Sequence, residues 1–277
     1  MEANVIYGMY SGLALLMDVY HPRTPNGYGI LFVAGSGWTA PLGYDAQPLK
    51  QNKESEIYAV PLSEAGYTVF SVNHRSAPRF RYPAPVEDVQ RAVRYIRHHA
   101  SDFGIDPERI GAVGSSSGGH LVSMLGVLDG DGDPRDADPV NRESAKVQCV
   151  VATFAPSDLL HIATHIPPLL GVSLPGERDS DSIEFRLYVE ASPLSHVSAG
   201  DPPYLLMHGD ADQVVPFDQS ERMASALEHA GVPVKLLRVR GGGHGPHFGG
   251  MAHPPDYIGE TIRWFDRYLV RCSGGMA

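Results

Sequence analysis

The stretch Gly111–Ser123, GAVGSSSGGHLVS, sets three serines in a row between glycines. Gly114-Ser115-Ser116-Ser117-Gly118 fits G-x-S-x-G in one register only, with Ser116 at its centre. Shifting the frame to Ser115 loses both glycines, and shifting it to Ser117 loses the first. IGAVG (Ile110–Gly114) reads as a short apolar strand, and HLVSMLGVL opens a helix. A strand–turn–helix of this kind holds the central side chain in a strained, presented position, and small neighbours let the strand and helix approach closely. A phosphate loop would need G-x-x-x-x-G-K-[ST], and no lysine stands in that place. A Gly/Ser linker is excluded because regular patterns continue on both sides.

Outward from this turn, short β-rich runs alternate with helical patterns. Strands are expected at Ala14–Tyr20, Ile30–Ala34, Tyr67–Asn73, Ile110–Gly114, Val147–Phe154, Tyr204–Gly209 and Val234–Val239. Several are apolar throughout, as strands covered on both faces should be. Val86, Val89, Val93 and Ile96 fall at helical spacing, as do Met223, Ala226, Leu227 and Ala230, with Gly231 as a stop. Ile258, Ile262, Phe265 and Leu269 mark a last helix. The alternation predicts one α/β domain over 1–277, a mostly parallel, doubly wound sheet flanked by helices.

Two segments break the rhythm. Asp129–Asp138 (DGDGDPRDAD) is acidic and turn-rich but lacks the full calcium-loop spacing, so it reads as a solvated loop. The segment 157–200 mixes apolar residues with prolines and has no clear strand. It is expected to be a lid-like insertion, with Ile162, Ile166, Leu169 and Leu170 either lining a pocket or closing a core.

Composition limits the partners. The 277 residues are 43% hydrophobic and 19% charged, a globular balance. A net charge of −10 offers no basic stripe for nucleic acid. Arg91, Arg94 and Arg97 share a helix with Glu87 and Asp88 and read as its solvated face. Two cysteines, Cys149 and Cys272, give neither a disulfide framework nor metal spacing. His161 and His165 are four apart but lack a third ligand, so no metal is expected. MEANVIYGMY has no signal-peptide pattern, and no run approaches a membrane span; the expectation is a cytoplasmic protein without membrane association. The oligomeric state is not legible.

A serine hydroxyl needs a base, and the base needs an orienting carboxylate. Downstream of Ser116, YLLMHGDADQVVP ends a strand with Asp210 and Asp212 in the following loop. VKLLRVRGGGHGPHF ends the last strand with His244 and His247. Both loops follow strand ends, where such a sheet gathers its ligands. The glycines around His244 suit a tight loop reaching over the nucleophile; the two aspartates are not separated by this reasoning. His120, on the helix after the turn, reads as a packed core histidine, and His98 and His99 as a helix end.

With these residues in place, the chain resembles the α/β-hydrolase serine esterases. It is most similar to the feruloyl/acetyl-xylan-esterase-like branch, which neighbours the hormone-sensitive-lipase-like carboxylesterases. The matching stretches are LALLMDVYHP, VNHRSAPRFRYPAPVEDVQRAV, IGAVGSSSGGHL, EASPLSHVSAGDPPYLLMHGDADQVVP and GGGHG, in family order over nearly the whole chain. The resemblance implies the α/β-hydrolase fold, with Ser116 as nucleophile, Asp212 as acid and His244 as base. The family's HGGGW oxyanion stretch falls on Ala34-Gly35-Ser36-Gly37-Trp38, departing at alanine and at serine. Oxyanion donors are mainly backbone N–H groups, which serine also has, so Ser36, Gly37 and the Ser117 amide are expected to form the hole. Trp38 would line the substrate pocket or pack beside it.

The expected function is hydrolysis of a small-molecule carboxylic ester, short-chain or aromatic, by a cofactor-free carboxylesterase. Amidase or peptidase chemistry on the same fold, of the kynurenine-formamidase-like or prolyl-oligopeptidase-like kind, is the first rival. A non-catalytic ligand-binding hydrolase homologue is the second.

Overall fold

A computed structural model describes residues 1–41, 43–162, 166–174 and 180–270. Eight strands form one sheet: β1 Glu2–Tyr10, β2 Leu13–Tyr20, β3 Gly29–Val33, β4 Thr68–Val72, β5 Ile110–Ser115, β6 Cys149–Thr153, β7 Tyr204–Gly209 and β8 Val234–Val239. Their spatial order is β1-β2-β4-β3-β5-β6-β7-β8. The β1–β2 and β2–β4 pairs are antiparallel, and every pair from β4–β3 to β7–β8 is parallel. All residues of β3, β4, β5, β6 and β7 are buried, as their continuous apolar runs require of strands covered on both faces.

Two apolar layers cover the sheet. One packs Val86, Val89, Val93 and Ile96 of the helix Ala84–His98, with Leu121 and Leu125 of the helix Ser117–Val127, against the strands. The other packs Tyr58, Ala59 and Leu62 of the helix Lys53–Glu64, with Trp264, Phe265 and Leu269 at the chain's far end. The helix Asp218–His229 ends before Gly231, whose φ of 76° suits the predicted glycine stop. Among the described residues no helix is long and apolar enough to cross a membrane.

Three features of the structure differ from expectation. The strand β1 was not expected. It is an antiparallel edge with most of its residues exposed or half-buried, so it carries no apolar run. The helix Lys53–Glu64, which has Pro61 inside it, is likewise absent from the expected elements.

The arginines are not a solvated face. Arg97 is 7% exposed, and its Nε and Nη2 donate to the carbonyls of Pro107 at 2.9 Å and Lys146 at 2.7 Å. Arg94 Nε donates to the carbonyl of Glu143 at 3.1 Å, and Arg91 pairs with Asp138 at 2.7 Å. The helix thus uses its guanidinium groups to satisfy the carbonyls of an irregular connection, which has no ladder to do so.

The glycines of the opening stretch are required by contact. A Cβ on Gly114 would lie 2.4 Å from Gly118 O, and one on Gly118 would lie 2.1 Å from Val33 O. Since both obstacles are backbone, neither can swing aside. Gly118→Ala should therefore destabilise the protein by roughly 1–3 kcal/mol or prevent folding, read as a lower urea midpoint or loss of soluble protein. An unchanged midpoint would contradict this packing.

Candidate active site

The site is assembled from the carboxyl ends of β3, β5, β7 and β8. Ser116 follows β5 with φ 50° and ψ −122°, the strained turn expected at the centre of G-x-S-x-G. Its N–H is tied to the carbonyl of Thr153 at 2.9 Å, and its carbonyl accepts from His120 N–H at 2.9 Å. Strand and helix therefore hold the turn from both sides. Ser115 and Ser117 point into the protein, at 0% and 1% exposure.

The loop after β8 brings His244 over this turn. His244 Nε2 lies 3.0 Å from Ser116 Oγ, and Nδ1 lies 2.7 Å from Asp212 Oδ2. A carboxylate can only accept, so Nδ1 carries the hydrogen and Nε2 presents its lone pair to the serine. The Phe154 ring stands edge-on to His244, with centroids 4.8 Å apart.

Asp212 is held from all sides. Its Oδ1 accepts the Val214 and Val215 N–H groups at 2.8 and 2.9 Å, and His208 Nε2 lies 3.3 Å from Oδ2. Burial pushes its carboxyl up. The hydrogen bonds from His208, His244 and the two amides outweigh that and hold Asp212 well below the usual carboxylate range. The rival groups are engaged elsewhere. Asp210 accepts from Arg238 Nε at 2.8 Å and Gly241 N–H at 2.7 Å, bracing the β8 loop. His247 Nδ1 lies 3.1 Å from the Tyr257 hydroxyl.

The AGSGW loop adapts to its substitutions. Gly37 and Trp38 take positive φ, at 62° and 58°, whereas Ser36 does not, so serine is accommodated without backbone strain. Ser36 N–H donates to Ser117 Oγ at 2.8 Å, so this amide, expected in the oxyanion hole, is engaged within the loop. The amides of Gly37 and Ser117 have no partner among the described residues, and both belong to the segments that frame the Ser116 turn. Trp38 lines the cleft, and its Nε1 donates to His120 Nδ1 at 3.1 Å. His120 Nε2 in turn meets the carbonyl of Ala191 at 2.8 Å, and burial pushes this histidine down to about 4, leaving it neutral.

The cleft over Ser116 has a volume of about 520 Å³. Its apolar wall includes Pro156, Ile162, Pro168 and Val214. Of the apolar set in segment 157–200, Ile162 reaches the cleft while Leu169 and Leu170 are buried in the core. The pairing of His161 with His165 cannot be followed because His165 lies outside the described residues, as does Cys272; His161 Nδ1 lies 2.7 Å from Asp158 Oδ2.

Two residues escape the sequence reading. His208 lies inside a uniformly buried strand, and only the i,i+4 spacing to Asp212 hints at its contact. Glu54 stands on a helix with no motif around it, yet its carboxylate reaches the cleft.

Residues 17–227 match the BD-FAE family model. The chain belongs to that family. This BD-FAE chain is 27% identical over 234 residues to the probable carboxylic ester hydrolase LipM of Mycobacterium tuberculosis, covering 82% of this chain and 51% of LipM. Among solved structures it is similar to a truncated form of a carbohydrate esterase from gut microbiota, at 29% identity and TM-score 0.79, covering 97% and 96% of the two chains. It is also similar to an acetyl ester-xyloside bifunctional hydrolase from Caldicellulosiruptor lactoaceticus, at 25% identity and TM-score 0.80, covering 95% of each. These neighbours show the α/β-hydrolase fold. The chain spans about half the length of the first curated relatives it matches, 51%, 48% and 46%.

Proposed function

We propose that this chain is a serine carboxylesterase acting on short-chain or aromatic esters. The observation that carries the reading is the continuous hydrogen-bonded line from Ser116 Oγ through His244 to Asp212, at 3.0 and 2.7 Å, at the base of a largely apolar cleft. The names of its relatives as ester hydrolases support the same chemistry.

His244 Nε2 takes the Ser116 proton as Oγ forms a bond to the ester carbonyl carbon, and the carbonyl oxygen becomes an oxyanion. The amides of Gly37 and Ser117 donate to that oxygen. Collapse breaks the bond to the alcohol, which leaves with the proton from His244. Water then loses a proton to His244 and attacks the acyl-enzyme, releasing the acid and restoring the serine hydroxyl. Asp212 keeps the imidazole in the required tautomer and stabilises its cation. Ile162 and Pro168, from the segment expected to form a lid, supply part of the wall that the acyl or alcohol group would meet.

A p-nitrophenyl ester series from acetate to laurate tests the reading. A cleft of this size should favour acetate or butyrate, with kcat/KM falling at least about tenfold by laurate, because the longer chain loses contact with the wall. Faster turnover of a matched aryl formamide or proline anilide than of the ester would instead favour the amidase chemistry.

A further inference from the structure

Among the described residues that line the cleft, Glu54 is the one carboxylate. Its Oε2 accepts the Gly35 N–H at 2.7 Å and also the Ser115 hydroxyl. A Cβ built on Gly35 would lie 3.1 Å from Ser116 Cβ and 3.2 Å from Glu54 Oε2, so nucleophile and carboxylate flank a single glycine. Glu54 is 9% exposed, and no ion pair to it is present among the described residues.

A neutral glutamine could accept the same two hydrogen bonds through its carbonyl oxygen. The negative charge is therefore not needed to pin the loop, and burying it is unfavourable. Burial pushes the Glu54 carboxyl above its usual range, opposed by the Ser115 and Gly35 hydrogen bonds and by the charge of His244. The carboxylate stands beside the reacting atoms, where its charge when ionised bears on what enters the cleft.

We infer that Glu54 selects substrates by charge: its carboxylate lies against the cleft beside Ser116, admits neutral and cationic esters, and turns away anionic ones. The inference rests on the ester-hydrolase reading and specifies the substrate class for it. A substrate carboxylate brought within about 6–8 Å of Glu54, in a cleft intermediate between protein and water, should be disfavoured about tenfold.

The test measures kcat/KM at pH 8 and low salt for two matched pairs. These are p-nitrophenyl butyrate against p-nitrophenyl hemisuccinate, and phenyl acetate against 4-carboxyphenyl acetate. The native protein should prefer the neutral member, and Glu54→Gln should shrink that preference about tenfold in at least one pair. Ser117→Ala, which loosens the same loop by removing the acceptor of the Ser36 N–H but leaves the contacts of Glu54 in place, should slow both members together and leave the ratio unchanged. An unshifted ratio in Glu54→Gln, or an equal shift in Ser117→Ala, overturns the inference.

A measurement without variants guards against misfolding. Phenylboronic acid should inhibit the native protein at least about tenfold better than 4-carboxyphenylboronic acid, and equal inhibition overturns the inference. Native protein that turns over no neutral ester would sink the esterase reading itself. An active esterase indifferent to substrate charge would sink the role of Glu54 alone.

Discussion

Replacing Ser116 with alanine should lower kcat on p-nitrophenyl acetate by on the order of 10⁵–10⁶, with little change in the unfolding midpoint. Alanine keeps the Cβ, so the turn at φ 50° is no more strained than before, and the Thr153 and His120 backbone contacts remain. What disappears is the atom that bonds to the carbonyl carbon. The residual rate would come from the amides of Gly37 and Ser117 and from substrate binding alone. Ser115 and Ser117 cannot take over, because both are buried and their hydroxyls are engaged, with Glu54 and with the Ser36 amide respectively. A purified Ser116→Ala protein with near-native turnover would refute the assignment.

Asp212→Asn should cost about 10⁴-fold in kcat while leaving the cleft's shape intact. The asparagine amide has one acceptor and one donor group where the carboxylate has two acceptors. Val214 and Val215 N–H claim the acceptor position, so the NH₂ would face His244 Nδ1 and His208 Nε2. His244 would then shift its hydrogen to Nε2, and the lone pair that should receive the serine proton would be gone.

Stability should follow a defined sign. The Asp212 carboxyl is held below its usual range, so its ionised form stabilises the fold above the ordinary carboxylate value of about 3.9, and that stabilisation is lost as the pH falls through the lowered value. The native protein should exceed Asp212→Asn in urea midpoint near pH 7, and the gap should narrow in strong acid. A gap that widens on acidification would show that the carboxylate is not held as described.

The parallel half of the sheet was legible because its strands are buried on both faces. ILFVA, IGAVG, VQCVVATF and YLLMHG are apolar runs that fit no other element of that length. The antiparallel edge was not, since β1 needs only one partly covered face. Ser116 and its glycines could be found because the turn constrains residue type at every position. Choosing Asp212 over Asp210 needed the resemblance or the folded loop, as the two are chemically equal until Arg238 and Gly241 claim one of them.

Glu54 and His208 lay beyond sequence reasoning for a shared reason. Each is bonded to a partner 61 or 4 positions away, Ser115 and Asp212, and neither pair belongs to a motif with a fixed spacing. The arginines of the helix Ala84–His98 misled in the opposite direction. Their amphipathic placement suggests solvent, but the irregular loop folded over them needs their donors.

The most direct test is to label the protein with a fluorophosphonate and map the adduct by peptide mass spectrometry. One equivalent per chain is expected, on Ser116, with no labelling in Ser116→Ala. An adduct on Ser115 or Ser117, or none on a preparation that hydrolyses esters, would contradict it.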